Sequence, residues 1–366
     1  MKVLYDGSIY SVQIAGGANR YWAKLVDEIP SDVMPFLAVN HKRAVHYPTN
    51  PRLQTYYFKR FAFRPGRLSL FCEKLYFKAK MLSPEFKLFH PSIYTENLAQ
   101  VSIKRYRCPV VITIHDMIEE LYPESDQYGL RRKQKAEALD VASAVICVSE
   151  NTKKDLINIY PNIKAPIYVT HLASDLNLGI AYGDAPVPER PYFLHVGYRH
   201  AAYKNFNTLL IAFHKIAGAC PETILCLVGP PLSSDEEQKI SELGLTERVQ
   251  YLGRPDDYHL SKLYRCSLAL VYPSLYEGFG IPPLEAMACG TIPMASNCAS
   301  LPEVMGDAGI LFNPHLPDEL AEQMLSVARN EINRDKFVND GILRSKHFSW
   351  ENTAAKTATI YRSLST

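Results

Sequence analysis

Residues 268–304 read LALVYPSLYEGFGIPPLEAMACGTIPMASNCASLPEV, and the order of residue types in this stretch decides the fold. The apolar run ending at Pro273 suits a strand buried on both faces. A loop carrying Glu277, Gly278 and Gly280 follows. Pro282 and Pro283 lack the N–H that a helix interior needs, so they can only open a helix, which Gly290 closes as a C-terminal glycine. TIPMAS then returns as a second strand. Strand, loop, helix, strand is the repeating unit of a parallel α/β sheet, whose ligands sit beyond the carboxyl ends of the strands. The spacing puts Glu277 in the loop and Glu285 in the first helical turn, so these carboxylates do not form a pair on one helix face.

The same alternation extends outward in both directions. On the N-terminal side strands are expected at KVLYDG (2–7), FKLFHPS (86–92), PVVITIHD (109–116), SAVICVS (143–149) and PIYVTHL (166–172). Nearer the starting stretch they are expected at YFLHVG (192–197), TILCLVG (223–229) and VQYLG (249–253). Helical patterns lie between them, which makes the class α/β. NLGIAYGDAPVPERP, residues 177–191, combines three prolines and two glycines with little periodicity and reads as a linker. The expected organisation is a Rossmann-like domain over 1–176, the linker 177–191, a second Rossmann-like domain over 192–347 and a closing helix over 348–366 with Ser349 as its N-cap. A length of 366 residues gives each domain enough chain for its own core.

Composition excludes several classes. With 47% hydrophobic and 21% charged residues the chain is of ordinary globular type, and no stretch reaches the ~18 uninterrupted apolar residues of a membrane span. MKVLYDGSIY is interrupted too early for a signal-peptide core and reads as a first strand. The eight cysteines form no C-x-x-C pair and no zinc-spaced cluster. Several lie in apolar runs such as AVICVS, so they are read as buried thiols in a reducing compartment.

The net charge of +2 conceals an asymmetry. Residues 41–90 hold eleven Lys or Arg against Glu73 and Glu85 alone, a local +9 that leaves −7 for the remainder. The same segment holds eleven Tyr or Phe, among them Tyr56, Tyr57, Phe58, Phe61, Phe63, Tyr76 and Phe77.

The candidate site residues stand at strand ends. Free N–H groups at Gly280 and Ile281, with the positive end of the helix dipole, favour an anion such as a diphosphate. Glu285 suits ribose hydroxyls, and Glu277, further out, sugar hydroxyls. In HVGYRHAAYKNFNTLLIAF (195–213) a strand ends at Gly197, Arg199 and Lys204 follow in the loop, and Asn205 is positioned as the N-cap of the next helix. Two cations at a helix N-terminus each oppose the dipole by roughly 0.3–1 kcal/mol unless an anion joins them, and a bound diphosphate would do so. Gly16 and Gly17 in AGGANRYW fall between a strand and a helix, as in a phosphate-approaching loop or an ordinary tight turn, without the G-x-G-x-x-G of dinucleotide binders. His115 and Asp116 end a strand, where a histidine faces a ligand or bonds its turn. Ser149 is explained as a helix cap. No D-x-D run or His/Asp/Glu cluster suggests a bound cation.

The E-x7-E spacing of Glu277 and Glu285 within EGFGIPPLEAMACG, followed by Ser296 and SLPEV, resembles the donor-site signature of the family 4 retaining glycosyltransferases of the GT-B fold. Weaker echoes run along almost the whole chain. The resemblance implies two domains facing across a cleft, with the last helix crossing back to the first domain. It implies transfer of a hexose from a nucleoside-diphosphate sugar to an acceptor hydroxyl with retention and no metal cofactor. Lys204, and Arg199 one place later than in many members, would hold the diphosphate. Gly16 and Gly17 would approach it, and His115 would reach the transferred sugar. GGANRYW, the G-x-R-x-x-x-Y-K-N-F pattern and the E-x7-E segment look most like bacterial mannosyltransferases of surface-polysaccharide assembly. GDP-mannose is then the expected donor, a glycan or lipid-diphosphate-linked hydroxyl the acceptor, and the cytoplasm the place, with room for a peripheral position on the cytoplasmic face of the inner membrane. Glucose, galactose, rhamnose and N-acetylhexosamine donors stay open, as does an epimerase or hydrolase. No nucleic-acid motif accompanies the basic segment 41–90, for which an anionic membrane surface is the expected partner.

Overall fold

A computed structural model describes residues 1–13, 16–40, 45–60, 66–94, 98, 102–126, 128–182 and 184–365. Phe61 and Phe63, and part of the basic segment, lie outside them. The chain divides into two compact units, Met1–Leu172 with Trp350–Thr366, and Ala173–Ser349.

The strands of the first unit are β1 (Lys2–Asp6), β2 (Met34–Val39), β3 (Gln54–Tyr57), β4 (Leu88–Pro91), β5 (Val111–Ile114), β6 (Ala144–Cys147) and β7 (Ile167–Val169). They form two parallel sheets ordered β3-β2-β1-β4 and β5-β6-β7, linked by a parallel bridge between Phe89 and Val110. β1, β4, β5 and β6 are buried almost throughout, as continuous apolar runs require. β2 and β3 escape sequence reading because Pro35 interrupts the first and the second is a half-exposed edge strand. Ser149 caps the helix Glu150–Ile159 by accepting from the Thr152 N–H at 3.0 Å.

The C-terminal helix Trp350–Ser363 begins directly after Ser349 and belongs to this first unit. Its Tyr361 hydroxyl lies 2.6 Å from Nδ1 of the buried His90, and Arg362 holds both carboxylate oxygens of Asp32 at 2.8 Å.

The second unit contains one six-stranded parallel sheet of β8 (Tyr192–Val196), β9 (Ile224–Val228), β10 (Val249–Tyr251), β11 (Ala269–Tyr272), β12 (Pro293–Ser296) and β13 (Ile310–Phe312), ordered β10-β9-β8-β11-β12-β13. β13, of which only Phe312 is fully buried, was not among the expected strands. Phe193, Leu209, Phe213, Leu225, Val271 and Met294 are central to the core between sheet and helices. The strand order reverses direction between β8 and β11, so the two following loops diverge there and leave a crevice at the strand ends.

Two local expectations are corrected. The helix after Gly280 runs Ile281–Ala288, which puts Glu285 in its second turn, buried, rather than in the first turn. Asn205 does stand at the N-cap of the helix Phe206–Ala217, but its side chain accepts no helix N–H. It adopts φ +53°, and its Nδ2 donates to the carbonyls of Pro273 and Pro314 at 3.1 and 2.8 Å, tying the β8 loop to the end of β11. Among the described residues no helix is long and apolar enough to cross a membrane.

Candidate functional site at the carboxyl ends of β8 and β11

The crevice at the β8/β11 reversal is where the second unit gathers its chemistry. β11 delivers Tyr272 and then the loop bearing Glu277, while β8 leads through Gly197 to the 3-10 turn Ala202–Lys204. Lys204 Nζ donates to Glu277 Oε1 at 2.6 Å, with the two side chains 13% and 12% exposed. The ammonium lies over the rings of Tyr203 and Tyr272, at 5.1 and 5.9 Å from their centroids. Burial, and the charge of the Glu277 carboxylate, push the Tyr272 phenol well above its usual range, so this hydroxyl stays neutral beside Glu277.

The Glu277 loop is held rigidly. The Ser300 hydroxyl lies 2.8 and 2.7 Å from the carbonyl oxygens of Glu277 and Phe279. Gly280 has φ +109°, and a Cβ there would meet Leu301 Cδ2 at 2.8 Å, so the turn into the helix is reserved for glycine. Because the next two helical residues are prolines, the N–H groups of Gly280 and Ile281 lead the helix N-terminus, and neither has an acceptor among the described residues. Glu285 is oriented from behind: the buried Tyr264, on the helix Asp257–Cys266, donates its hydroxyl to Oε2 at 2.9 Å.

Arg199 is placed differently from its sequence reading. Its side chain is fully buried, with Nε 3.2 Å from Glu236 Oε1 and Nη2 donating to the Pro230 carbonyl at 2.6 Å. Glu236 also closes the capping box of the helix Ser234–Glu242 with Ser233. The anion expected beside each cation is thus supplied in part by the protein itself: Glu236 for Arg199 and Glu277 for Lys204. Only Nη1 of Arg199 is left buried without a partner. Nearby His195 bonds the Val271 carbonyl through Nδ1 at 2.9 Å, which fixes the proton there and leaves Nε2 a buried lone pair without a partner. Burial pushes this imidazole down to about 4, so it is neutral at pH 7.

In the first unit, Gly16 stands at φ +154° before the helix Gly17–Asp27, and a Cβ would press on the Gln13 side chain at 2.6 Å. Gln13 Oε1 accepts from the Asn19 N–H at 2.9 Å and so occupies one of the free donors of that helix start. His115 follows β5, edge-on to Tyr21 of the same helix with centroids 5.0 Å apart. Its Nε2 is buried without a partner, and burial pushes it down to about 4. Beside it, Lys135 is buried with its Nζ on Glu119, Glu120 and the Asp116 carbonyl. Tyr264, Tyr272, His195 and Glu236 were not singled out from sequence. Only Tyr272, at a strand end, carried a positional signal. Among the described residues no three His, Cys, Asp or Glu converge as a metal-binding group.

Residues 15–178 match the Glycosyltransferase Family 4 domain and residues 184–344 match Glycosyl transferases group 1. The chain is 29% identical to the O-antigen chain mannosyltransferase B of Escherichia coli, over 82% of this chain and 84% of that one. In fold it is similar to sucrose-phosphate synthase from Thermosynechococcus elongatus, with a TM-score of 0.76 at 22% identity over 99% of this chain and 98% of that chain. It is also similar to Anabaena HepE in complex with UDP-glucose, with a TM-score of 0.72 at 19% identity over the whole of both chains.

Proposed function

We propose, from the premise that this chain belongs to the family 4 glycosyltransferases of the GT-B fold, that it transfers mannose from GDP-mannose to a hydroxyl of a growing, lipid-linked surface polysaccharide with retention of the anomeric configuration. The observation that carries this reading is the Lys204–Glu277 pair, set at the sheet reversal beside the unpaired N–H groups of Gly280 and Ile281. That arrangement suits a diphosphate bonded to a sugar. The helix N-terminus and Lys204 receive the phosphate oxygens, while Glu277 turns to the sugar hydroxyls and Glu285, steadied by Tyr264, to the ribose.

In the transfer the bond from the anomeric carbon to the phosphate oxygen breaks, and a bond to the acceptor oxygen forms on the same face. The acceptor proton passes to the departing phosphate. Charge growing on that phosphate is met by Lys204, by the two N–H groups and by Nη1 of Arg199, an electrostatic contribution of several kcal/mol. This provision of positive charge supports a reaction without a metal. His115, Gly16 and Gly17 are assigned to the transferred sugar and the donor phosphates by the family pattern.

Mannose as the sugar is supported by the similarity to the E. coli mannosyltransferase, and UDP-glucose is the competing donor because a fold neighbour was solved with it. Nucleotide release measured across GDP-mannose, UDP-glucose, UDP-galactose, dTDP-rhamnose and UDP-N-acetylglucosamine tests the assignment. Acceptor-dependent release of GDP is expected. Turnover of a different donor alone rejects mannose, and donor turnover that ignores acceptor rejects transfer. A glycosyl group trapped on Glu277 would overturn the same-face mechanism.

A further inference from the structure

The helix Gly66–Met81 buries Ser69, Glu73, Phe77 and Met81 against its unit, which leaves a second face turned to solvent. That face is not polar. Leu68, Phe71 and Leu75, spaced by three and four residues, form one stripe and are 48%, 58% and 49% exposed. Leu70 is exposed as well, and no other described helix carries more than one exposed large apolar side chain. Arg67, Lys74 and Lys78 follow the neighbouring row and are exposed too. The helix's one acid, Glu73, lies on the buried face with Arg60 2.8 Å away, so no acid of this helix offsets the outer row.

The geometry points to this helix as a docking surface for an anionic lipid bilayer, lying in the plane of the headgroups with Leu68, Phe71 and Leu75 inserted and Arg67, Lys74 and Lys78 among the lipid phosphates. An apolar stripe joined along its length by a row of cations is complementary to an acyl layer under an anionic surface. A folded protein partner would cover the stripe but would have to supply several carboxylates along it. A single-stranded nucleic acid would call for exposed rings on which bases stack, and here two of the three apolar side chains are leucines. The inference narrows the +9 segment 41–90 to one face of one helix, and it stands apart from the donor-site reading.

Sedimentation of the full chain with large vesicles, of phosphatidylcholine alone or mixed with phosphatidylglycerol at about 0.15 M salt, tests it. Binding to the anionic vesicles is expected to be at least tenfold stronger than to the neutral ones. Lys74→Glu with Lys78→Glu is expected to weaken it by about a hundredfold or more. Phe71→Ser with Leu75→Ser should weaken it by about tenfold at every salt concentration. All four side chains are exposed, so both variants should keep the wild-type melting temperature and wild-type nucleotide release with a water-soluble acceptor. Equal sedimentation with the two vesicle types overturns the proposal, and so does binding that survives either pair of substitutions. A chain that ignores vesicles but binds RNA, or pairs with itself through this face, overturns it too.

Discussion

Lys204→Met removes the ammonium from the centre of the second unit's crevice and keeps most of the side-chain volume. In the unliganded chain it leaves the Glu277 carboxylate, 12% exposed, without the cation 2.6 Å away. Breaking a fully buried pair costs about 3–5 kcal/mol, and the partial exposure here places the expected loss at about 2–3 kcal/mol. The second unit spans residues 173–349, a size at which each kcal/mol shifts the midpoint by about 2–4 °C, so a fall of roughly 4–12 °C is expected. Glu277→Gln on top of Lys204→Met removes the stranded charge and should restore part of that fall, giving a coupling energy well beyond the ~0.5 kcal/mol scatter of independent sites. Turnover behaves differently, because the double variant regains stability but not the cation assigned to the leaving diphosphate. Both variants should lose about 10²–10³-fold in nucleotide release. A saturating donor, which at a hundred times its Kd stabilises a binding-competent chain by about 2.7 kcal/mol, should raise their melting temperature far less than that of the wild type. Scanning calorimetry with and without donor, read beside initial rates, separates the two effects. A Lys204→Met chain that keeps more than a tenth of wild-type turnover refutes the site assignment. Stability losses that simply add refute the pairing.

Tyr264→Phe withdraws one hydrogen bond from the Glu285 carboxylate, a contribution of about 1.5–3 kcal/mol for a charged acceptor. Because Glu285 is assigned to the ribose in ground and transition states alike, the donor KM should rise about tenfold with kcat little changed, whereas a fall in kcat at constant KM would place Tyr264 in the reaction itself. Gly280→Ala forces a Cβ to 2.8 Å from Leu301 Cδ2 at φ +109°. It should lower the unfolding free energy by about 1–3 kcal/mol and abolish the donor-induced thermal shift, and an unaltered shift would show that the loop does not hold the phosphates. The neutral His195 gives an acid-side dependence. Its folded value of about 4 lies below the usual value of about 6.5, so between these pH values the unfolded chain binds a proton that the folded chain refuses. Stability should therefore fall as pH drops from 6.5 to 4 and lose no more from this group below 4. In His195→Asn, which can still donate to the Val271 carbonyl, the midpoint should change less across that window. Parallel wild-type and variant curves would contradict the buried lone pair.

How much of this was legible in sequence depends on what each feature answers to. The loop-helix carrying Glu277 and Glu285 was readable because proline and glycine act locally: Pro282 and Pro283 open a helix wherever they stand in such a run, and Gly280 alone tolerates its turn. The buried parallel strands were readable because both faces are apolar, and β2 and β3 were missed where a proline or an exposed edge broke that pattern. The partners of the site residues answer to the sheet order instead. Tyr264 reaches Glu285 across 21 residues and Arg199 reaches Glu236 across 37, and no local spacing encodes either. The same holds for the charges. Arg199 and Lys204 looked like cations waiting for an anion because their carboxylates follow β9 and β11, the two strands that flank β8 in the sheet, and lie far from them in the sequence. Two cations near a helix start are therefore weak evidence for a phosphate until the protein's own acids have been placed. Once they are placed the two residues separate: Arg199, held by Glu236 and the Pro230 carbonyl, keeps only Nη1 for a phosphate, whereas Lys204, paired with the Glu277 that is assigned to the sugar, can turn its whole ammonium to a diphosphate.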